Sequence, residues 1–185
     1  MANLVRILGI SGSGRKQSYN NALLEEAKRL ILEGMRLDIV DVSTFPLFNQ
    51  DLESSVPTAV QEFKEKIRQA DAVLFATPEH NYTITAVLKN AIEWGNHPDN
   101  SWDGKPAAIM SASTSPRGGA RAQLALRQIM VDLNMFPINR PQLLLARAPE
   151  KFNADLRLTD EQSRKMLRDL LAALLEWTRT LKGQK

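Results

Sequence analysis

The chain has 185 residues, no cysteine, 24 Lys and Arg against 21 Asp and Glu, and a formal net charge of +3. That length fits one domain able to bury a core without covalent staples; the lack of Cys excludes disulfides, thiolate metal sites and redox thiols, and two His residues make a His-rich metal site a poor expectation. Basic residues are scattered among acids with no stripe interleaved with aromatics, no apolar run has spanning length, and the opening Met1-Ala2-Asn3 carries no leader pattern, so the expectations are no nucleic acid, no membrane and a cytoplasmic location.

In chain order, Leu4 to Leu8 is a short apolar run that reads as a buried strand. A Gly- and Ser-rich loop from Gly9 to Asn20 follows. A helix then starts at Asn21, and Gly34 is its expected C-cap. Leu37 to Val42 reads as a second strand, and Ser43 to Val56 as a loop holding Phe45, Pro46, Leu47 and Phe48. Pro57 suits the first position of a helix whose inward face carries Val60, Phe63, Lys64 and Ile67. Asp71 to Thr77 is strand three, and Thr83 to Trp94 a helix with Val87, Leu88, Ala91 and Ile92 at helical spacing. Ala107 to Ala112 is strand four, and Gly119 to Leu133 the fourth helix. Phe136 to Leu145 holds a fifth strand shortened by Pro137 and Pro141. Thr159 and Gln162 are spaced as a capping box opening a last helix, with Met166, Leu167, Leu170, Leu171, Leu174 and Leu175 facing inward. Strands alternating with helices imply a doubly wound parallel sheet covered on both faces, in one domain spanning residues 1–185.

In such sheets ligands sit beyond the carboxyl ends of the strands. The first loop, Gly9-Ile-Ser-Gly-Ser-Gly-Arg-Lys-Gln-Ser-Tyr-Asn20, joins a strand to a helix start, where free N–H groups and the helix dipole favour an anion. Ser11, Ser13, Ser18 and Asn20 add donors, and Arg15 a planar cation. The Walker A spacing fails because Arg15 and Lys16 stand where Lys and Ser/Thr are required. The dinucleotide fingerprint fails at Gln17, although Asp41 after strand two could serve a ribose. A terminal phosphate bound without metal fits better than either; an unliganded Gly/Ser connector is the plainer alternative. After strand three, Pro78-Glu79-His80-Asn81-Tyr82 offers rings and polar edges for a flat heteroaromatic ligand, or a helix entry capped by Asn81 or Thr83. After strand four, Ser113-Thr114-Ser115-Pro116-Arg117-Gly118-Gly119 is again Ser- and Gly-rich. Arg121 then stands in a first helical turn, where the dipole disfavours a cation; it is either functional or paired with an acid elsewhere.

Taken jointly, these loops resemble those of the NADPH-dependent FMN reductase family, a flavodoxin-like group that includes bacterial quinone and chromate reductases. Gly12 to Asn20 is similar to its G-S-x-R-x-x-S-x-N loop, Pro78 to Asn81 to its P-E-Y-N loop, Lys89 to Trp94 to its K-N-A-I-D-W helix, and Gly118-Gly119-x-Arg121 to its fourth-strand loop. His80 departs from the usual Tyr. The resemblance implies a flavodoxin-like sheet of strand order 2-1-3-4-5 and bound FMN. It places Ser13, Arg15, Ser18 and Asn20 at the phosphate, with Ser11 in the same loop. It sets Pro78, Glu79, His80, Asn81 and Tyr82 along the isoalloxazine, and Ser113, Thr114, Ser115, Gly118 and Gly119 at its pyrimidine end.

The implied reaction is ping-pong. Hydride passes from NADPH or NADH to the flavin N5 and on to a small acceptor: a flavin, a quinone, an azo compound or a metal oxyanion such as chromate. No catalytic acid, base or nucleophile from the protein is implied. An electron carrier or a non-catalytic flavin or nucleotide module is the alternative. A homodimer or tetramer is also expected. Phe45, Leu47, Phe48 and Leu52 put four large apolar side chains on one connection, and an interface there would include Phe48 and Trp94.

Overall fold

The computed structural model describes residues 4–183. Met1-Ala2-Asn3, on which the expectation of no leader rests, lies outside the described residues. The strands are β1 (Val5–Ser11), β2 (Met35–Val40), β3 (Ala72–Ala76), β4 (Pro106–Ala112), β5 (Phe136–Pro137) and β6 (Leu143–Leu145). The helices are α1 (Tyr19–Arg29), α2 (Thr58–Gln69), α3 (Ala86–Asn96), α4 (Ala120–Asp132) and α5 (Glu161–Leu181). The sheet is parallel throughout, in the order β2-β1-β3-β4-β5, with β6 also pairing to β4. This is the flavodoxin-like arrangement.

Both faces of the sheet are covered, which is why its inner strands read as nearly continuous apolar runs. Strand residues point alternately to the two faces. Ile7, Leu37, Leu74 and Met110 pack under α1 and α5. Leu8, Ile10, Phe75 and Ile109 pack under α2, α3 and α4. Among the described residues no helix is long and apolar enough to cross a membrane.

Several element ends differ from the sequence reading. The first helix stops at Leu30, whose N–H bonds to the carbonyl of Glu26. Gly34 is therefore not its C-cap; with φ +81° it makes the turn into β2. Pro57 is the cap residue of α2 rather than its first helical residue. The last helix is capped by Asp160, which accepts from the N–H of Ser163, and not by a Thr159–Gln162 box; the Thr159 hydroxyl bonds to Lys151 O instead. The fifth strand is two short pieces. Three steps along β4, Ala107 to Met110, face six along the partner, Pro137 to Leu143. The extra residues loop out beside Pro141, which has no N–H to give a ladder.

The connection after β2 folds inward. Phe45 packs on Phe63, and Phe48 meets the edge of Trp94 with ring centroids 5.1 Å apart. Trp94 and Trp102 are both 0% exposed, so Trp94 is a core residue and not part of a surface contact; of the large apolar side chains on this connection Leu47 is the exposed one, at 79%. Lys64 is the buried member of α2's inward face. Its ammonium donates to the carbonyls of His97 and Asp99 at 2.7 and 2.8 Å and, more weakly, to those of Trp94 and Gly95. It thus caps the carboxyl end of α3, where the dipole favours a cation. Burial pulls the Lys64 pKa below the ordinary lysine value, against the opposing effect of Asp99.

Candidate functional site

Three loops at the carboxyl ends of β1, β3 and β4 meet around a cleft of about 370 Å³. The first leaves β1 at Ser11. Gly12 donates to Ala76 O at 2.8 Å, holding the loop against β3. A Cβ on Gly12 would lie 3.1–3.2 Å from the Thr85 hydroxyl, Leu88 and the Thr77 hydroxyl, a tight approach to the start of α3 that a side chain would fit only if these neighbours gave way slightly. Thr85 makes that approach specific: its hydroxyl donates to Gly12 O at 2.5 Å and accepts from Leu88 N at 3.2 Å. It caps α3 in place of Asn81 or Thr83.

The rest of the loop is shaped by its own hydroxyls. Ser11 Oγ donates to Asn21 Oδ1 and accepts from the N–H of Ser13, while Ser13 Oγ accepts from Arg15. Ser18 caps α1, its oxygen accepting from Asn20 and Asn21 while its own O–H stays available to a ligand. Among the described residues, the N–H groups of Gly14, Lys16, Gln17, Ser18 and Tyr19 donate to no protein acceptor. A run of free amides running into a helix N-terminus, flanked by Arg15, fits a phosphate group. Asn20 does otherwise: its Nδ2 donates to Ala112 O and its Oδ1 accepts from Ala112 N, both at 2.9 Å. Its side chain joins α1 to the end of β4, which leaves one Nδ2 hydrogen for a ligand.

The second loop is a tight hairpin turn. His80 and Thr83 exchange both backbone hydrogen bonds at 3.0 Å, with Asn81 at φ +47° and Tyr82 at φ +71° between them. Two positive φ values define this two-residue turn, which Asn suits and Tyr does not. Tyr82 is 69% exposed, and the Arg121 guanidinium lies 3.7 Å from its ring centroid. Glu79 completes the group: Oε2 accepts from the backbone N–H of Arg121 at 3.0 Å, and Oε1 from its Nη1 at 3.1 Å. The cation in the first turn of α4 is thus paired with an acid of the neighbouring loop.

The third loop runs from Ser113, whose N–H bonds to Leu145 O. Ser113 Oγ donates to Ser115 Oγ and accepts from Ser115 N. Gly118 and Gly119 both have positive φ, and Gly119 caps α4 without a side-chain bond. Ser111 Oγ donates to Gly118 O at 2.5 Å and accepts from Gln123 Nε2 at 2.8 Å, fixing the turn from below.

Of the residues singled out in the sequence, Ser13, Arg15, Ser18, Asn20, Pro78, Glu79, His80, Ser113 and Thr114 line the cleft. Asn81, Tyr82, Ser115, Gly118 and Gly119 are not among its lining residues, and Ser11 faces a neighbouring hollow on the β2 side of the first loop. The sequence reading missed Thr85, Ala112 and Tyr19, which also line the cleft. A larger hollow of about 590 Å³ flanks the beginnings of β1 and β2, among the exposed side chains of Arg6, Lys28, Arg36 and Lys66. It lies away from the carboxyl ends of the strands, where a parallel sheet places its ligands, so the smaller cleft is the candidate site. Among the described residues no group of three or more His, Asp or Glu is placed to hold a metal ion.

The model of the family described as NADPH-dependent FMN reductase matches residues 5–150. An NAD(P)H-dependent FMN reductase of Pseudomonas aeruginosa is 46% identical over 185 residues, covering 99% of this chain and 100% of its own. An NAD(P)H:quinone oxidoreductase of Solanum tuberosum is 43% identical, covering 98% and 96%. Among solved structures, the flavoenzyme NAD(P)H:(acceptor) oxidoreductase FerB of Paracoccus denitrificans superposes with a TM-score of 0.88 at 31% identity, covering 95% of this chain and 98% of its own.

Proposed function

The chain belongs to the NADPH-dependent FMN reductase family, and from that membership we propose that the cleft passes reducing equivalents from NAD(P)H through FMN to a small acceptor, one pocket serving donor and acceptor in turn. The chain is an oxidoreductase that works with FMN and NAD(P)H, which sets the carrier and non-catalytic alternatives aside. The observation that carries the cleft assignment is the run of free amides from Lys16 to Tyr19 beside Arg15. Those amides, with the hydroxyls of Ser13 and Ser18, would hold the phosphate. Pro78, Glu79 and His80, with Asn81 and Tyr82 next in the same loop, would border the ring system. The Ser113–Ser115 turn and the Gly118-Gly119 end of α4 would meet its pyrimidine edge, where helix N–H groups stabilise negative charge. When bound, FMN supplies the chemistry, accepting hydride from the nicotinamide and returning it to the acceptor.

The protein's part is to bind, orient and leave one face open. The acceptor belongs to the class of small planar oxidants, with quinones and free flavins foremost; azo compounds and metal oxyanions such as chromate fall within the same proposal. A homodimer or tetramer and a cytoplasmic location complete it. They rest on the resemblance and on a cysteine-free chain rather than on the Phe48–Trp94 surface. Steady-state rates with NADPH and a quinone both varied test the shared pocket: parallel double-reciprocal lines are expected, and intersecting lines would show a ternary complex and remove it.

A further inference from the structure

Arg121 is the residue that the proposed reaction leaves without a task. It is a cation in the first turn of α4, where the helix dipole already contributes positive charge. It does not stand free. Glu79, whose side chain is only 14% exposed on the cleft wall, takes both the backbone N–H and the guanidinium of Arg121. On its other side the guanidinium covers the Tyr82 ring, whose backbone sits in the left-handed region. One carboxylate therefore fixes three things: the start of α4, the side chain of Arg121 and the hairpin turn from His80 to Thr83.

We propose that Glu79 is a positioning residue that sets the reduction potential of the cofactor, by neutralising Arg121 and holding it against the cleft wall that Glu79 lines. The inference rests on the FMN assignment above. As a closed ion pair, Glu79 and Arg121 present the cleft with a dipole rather than a net charge. Reduced FMN carries more negative charge than oxidised FMN, so any net cation at the start of α4 favours the reduced form. In a partly buried cleft such a charge acts through a lower effective dielectric than water. Replacing the carboxylate by its neutral isostere keeps an oxygen to accept the Arg121 N–H but leaves the guanidinium uncompensated. Removing the guanidinium leaves the opposite charge.

The test is the midpoint potential of the FMN holoprotein, read by dye-equilibrated anaerobic titration, for wild type, Glu79→Gln, Arg121→Gln and the double variant. The expected result for Glu79→Gln is a tenfold gain in affinity for reduced over oxidised FMN, a rise of about 30 mV for a two-electron couple. Arg121→Gln should shift the potential in the opposite direction, and the double variant should return close to wild type. A purely structural Glu79 would lower the urea midpoint of the apoprotein without moving the potential, and that result overturns the proposal. So does a rise that persists in the double variant. If Glu79→Gln does not fold, the direction of the Arg121→Gln shift decides alone. A wild-type protein that binds no FMN overturns both this inference and the cofactor assignment, whereas a normal wild-type potential unmoved in every variant overturns the positioning role only.

Discussion

Gly119→Ala combines two separable costs. Gly119 sits at φ +83°, and a Cβ there would lie 2.8 Å from Ser111 Cβ and 2.9 Å from Ser111 Oγ. Ser111 cannot simply turn away, because its hydroxyl donates to Gly118 O and accepts from Gln123. The left-handed backbone costs a non-Gly residue about 1–2 kcal/mol. Crowding into a packed site adds about 1–3 kcal/mol. The substitution should therefore destabilise the apoprotein by roughly 2–5 kcal/mol on those two principles. Gly104 is the matched control: its φ is +70° and a Cβ there would meet nothing within 4 Å. Gly104→Ala should show the backbone cost alone, partly offset by the smaller entropy of the unfolded chain, a net loss of about 1 kcal/mol. Equilibrium urea unfolding of the three apoproteins, at equal m-values, gives both differences. Equal losses in the two variants would mean that Gly119 is not crowded by Ser111, and the account of that loop would be wrong.

Two further substitutions probe other parts of the chain. Arg15→Ala should weaken FMN binding by about 1.5–3 kcal/mol, the range for a hydrogen bond to a charged group, read as fluorescence quenching on titrating the apoprotein; an unchanged dissociation constant would take Arg15 out of the site. Asp160→Ala should cost about 1 kcal/mol through the lost cap of α5. The Ser163 hydroxyl, and then its N–H, hold the Asp160 carboxyl below the usual carboxylate range. Its contribution is therefore full above the unfolded value of about 4 and is lost as pH falls through the lower folded value. The stability difference between wild type and Asp160→Ala should accordingly narrow in acid; a difference constant from pH 7 to pH 3 would contradict the cap.

The sheet was legible because β1, β3 and β4 are buried on both faces, which leaves uninterrupted apolar runs between Gly- and Pro-bearing loops. The three site loops were legible for the same reason: a parallel sheet places them at one end. What the sequence hid is non-local. Asn20 carries the pattern of a phosphate donor, and its amide also bridges to Ala112, ninety-two positions away. Thr85 was one of several cap formers in a row, and only the approach of Gly12 to α3 selects it. The turn at Asn81-Tyr82 was hidden because Tyr is a poor residue for a left-handed backbone; the clamp that tolerates it comes from Arg121 on another helix. Gly34 was read as a helix end because a turn into a strand and a C-cap use the same residue for the same positive φ. Trp94 looked like surface because no local signal shows that the connection carrying Phe48 folds back over it.

The central claim is that the cleft beside the free amides of the first loop holds FMN in reach of a nicotinamide. The most direct measurement is the visible spectrum of the purified protein, reconstituted with FMN if necessary, before and after one equivalent of NADPH under anaerobic conditions. The account predicts a flavin spectrum that stays with the protein on gel filtration, bleaches on NADPH addition and returns on adding a quinone. A protein that retains no flavin, or whose bound flavin is not bleached by NADPH or NADH, would contradict it.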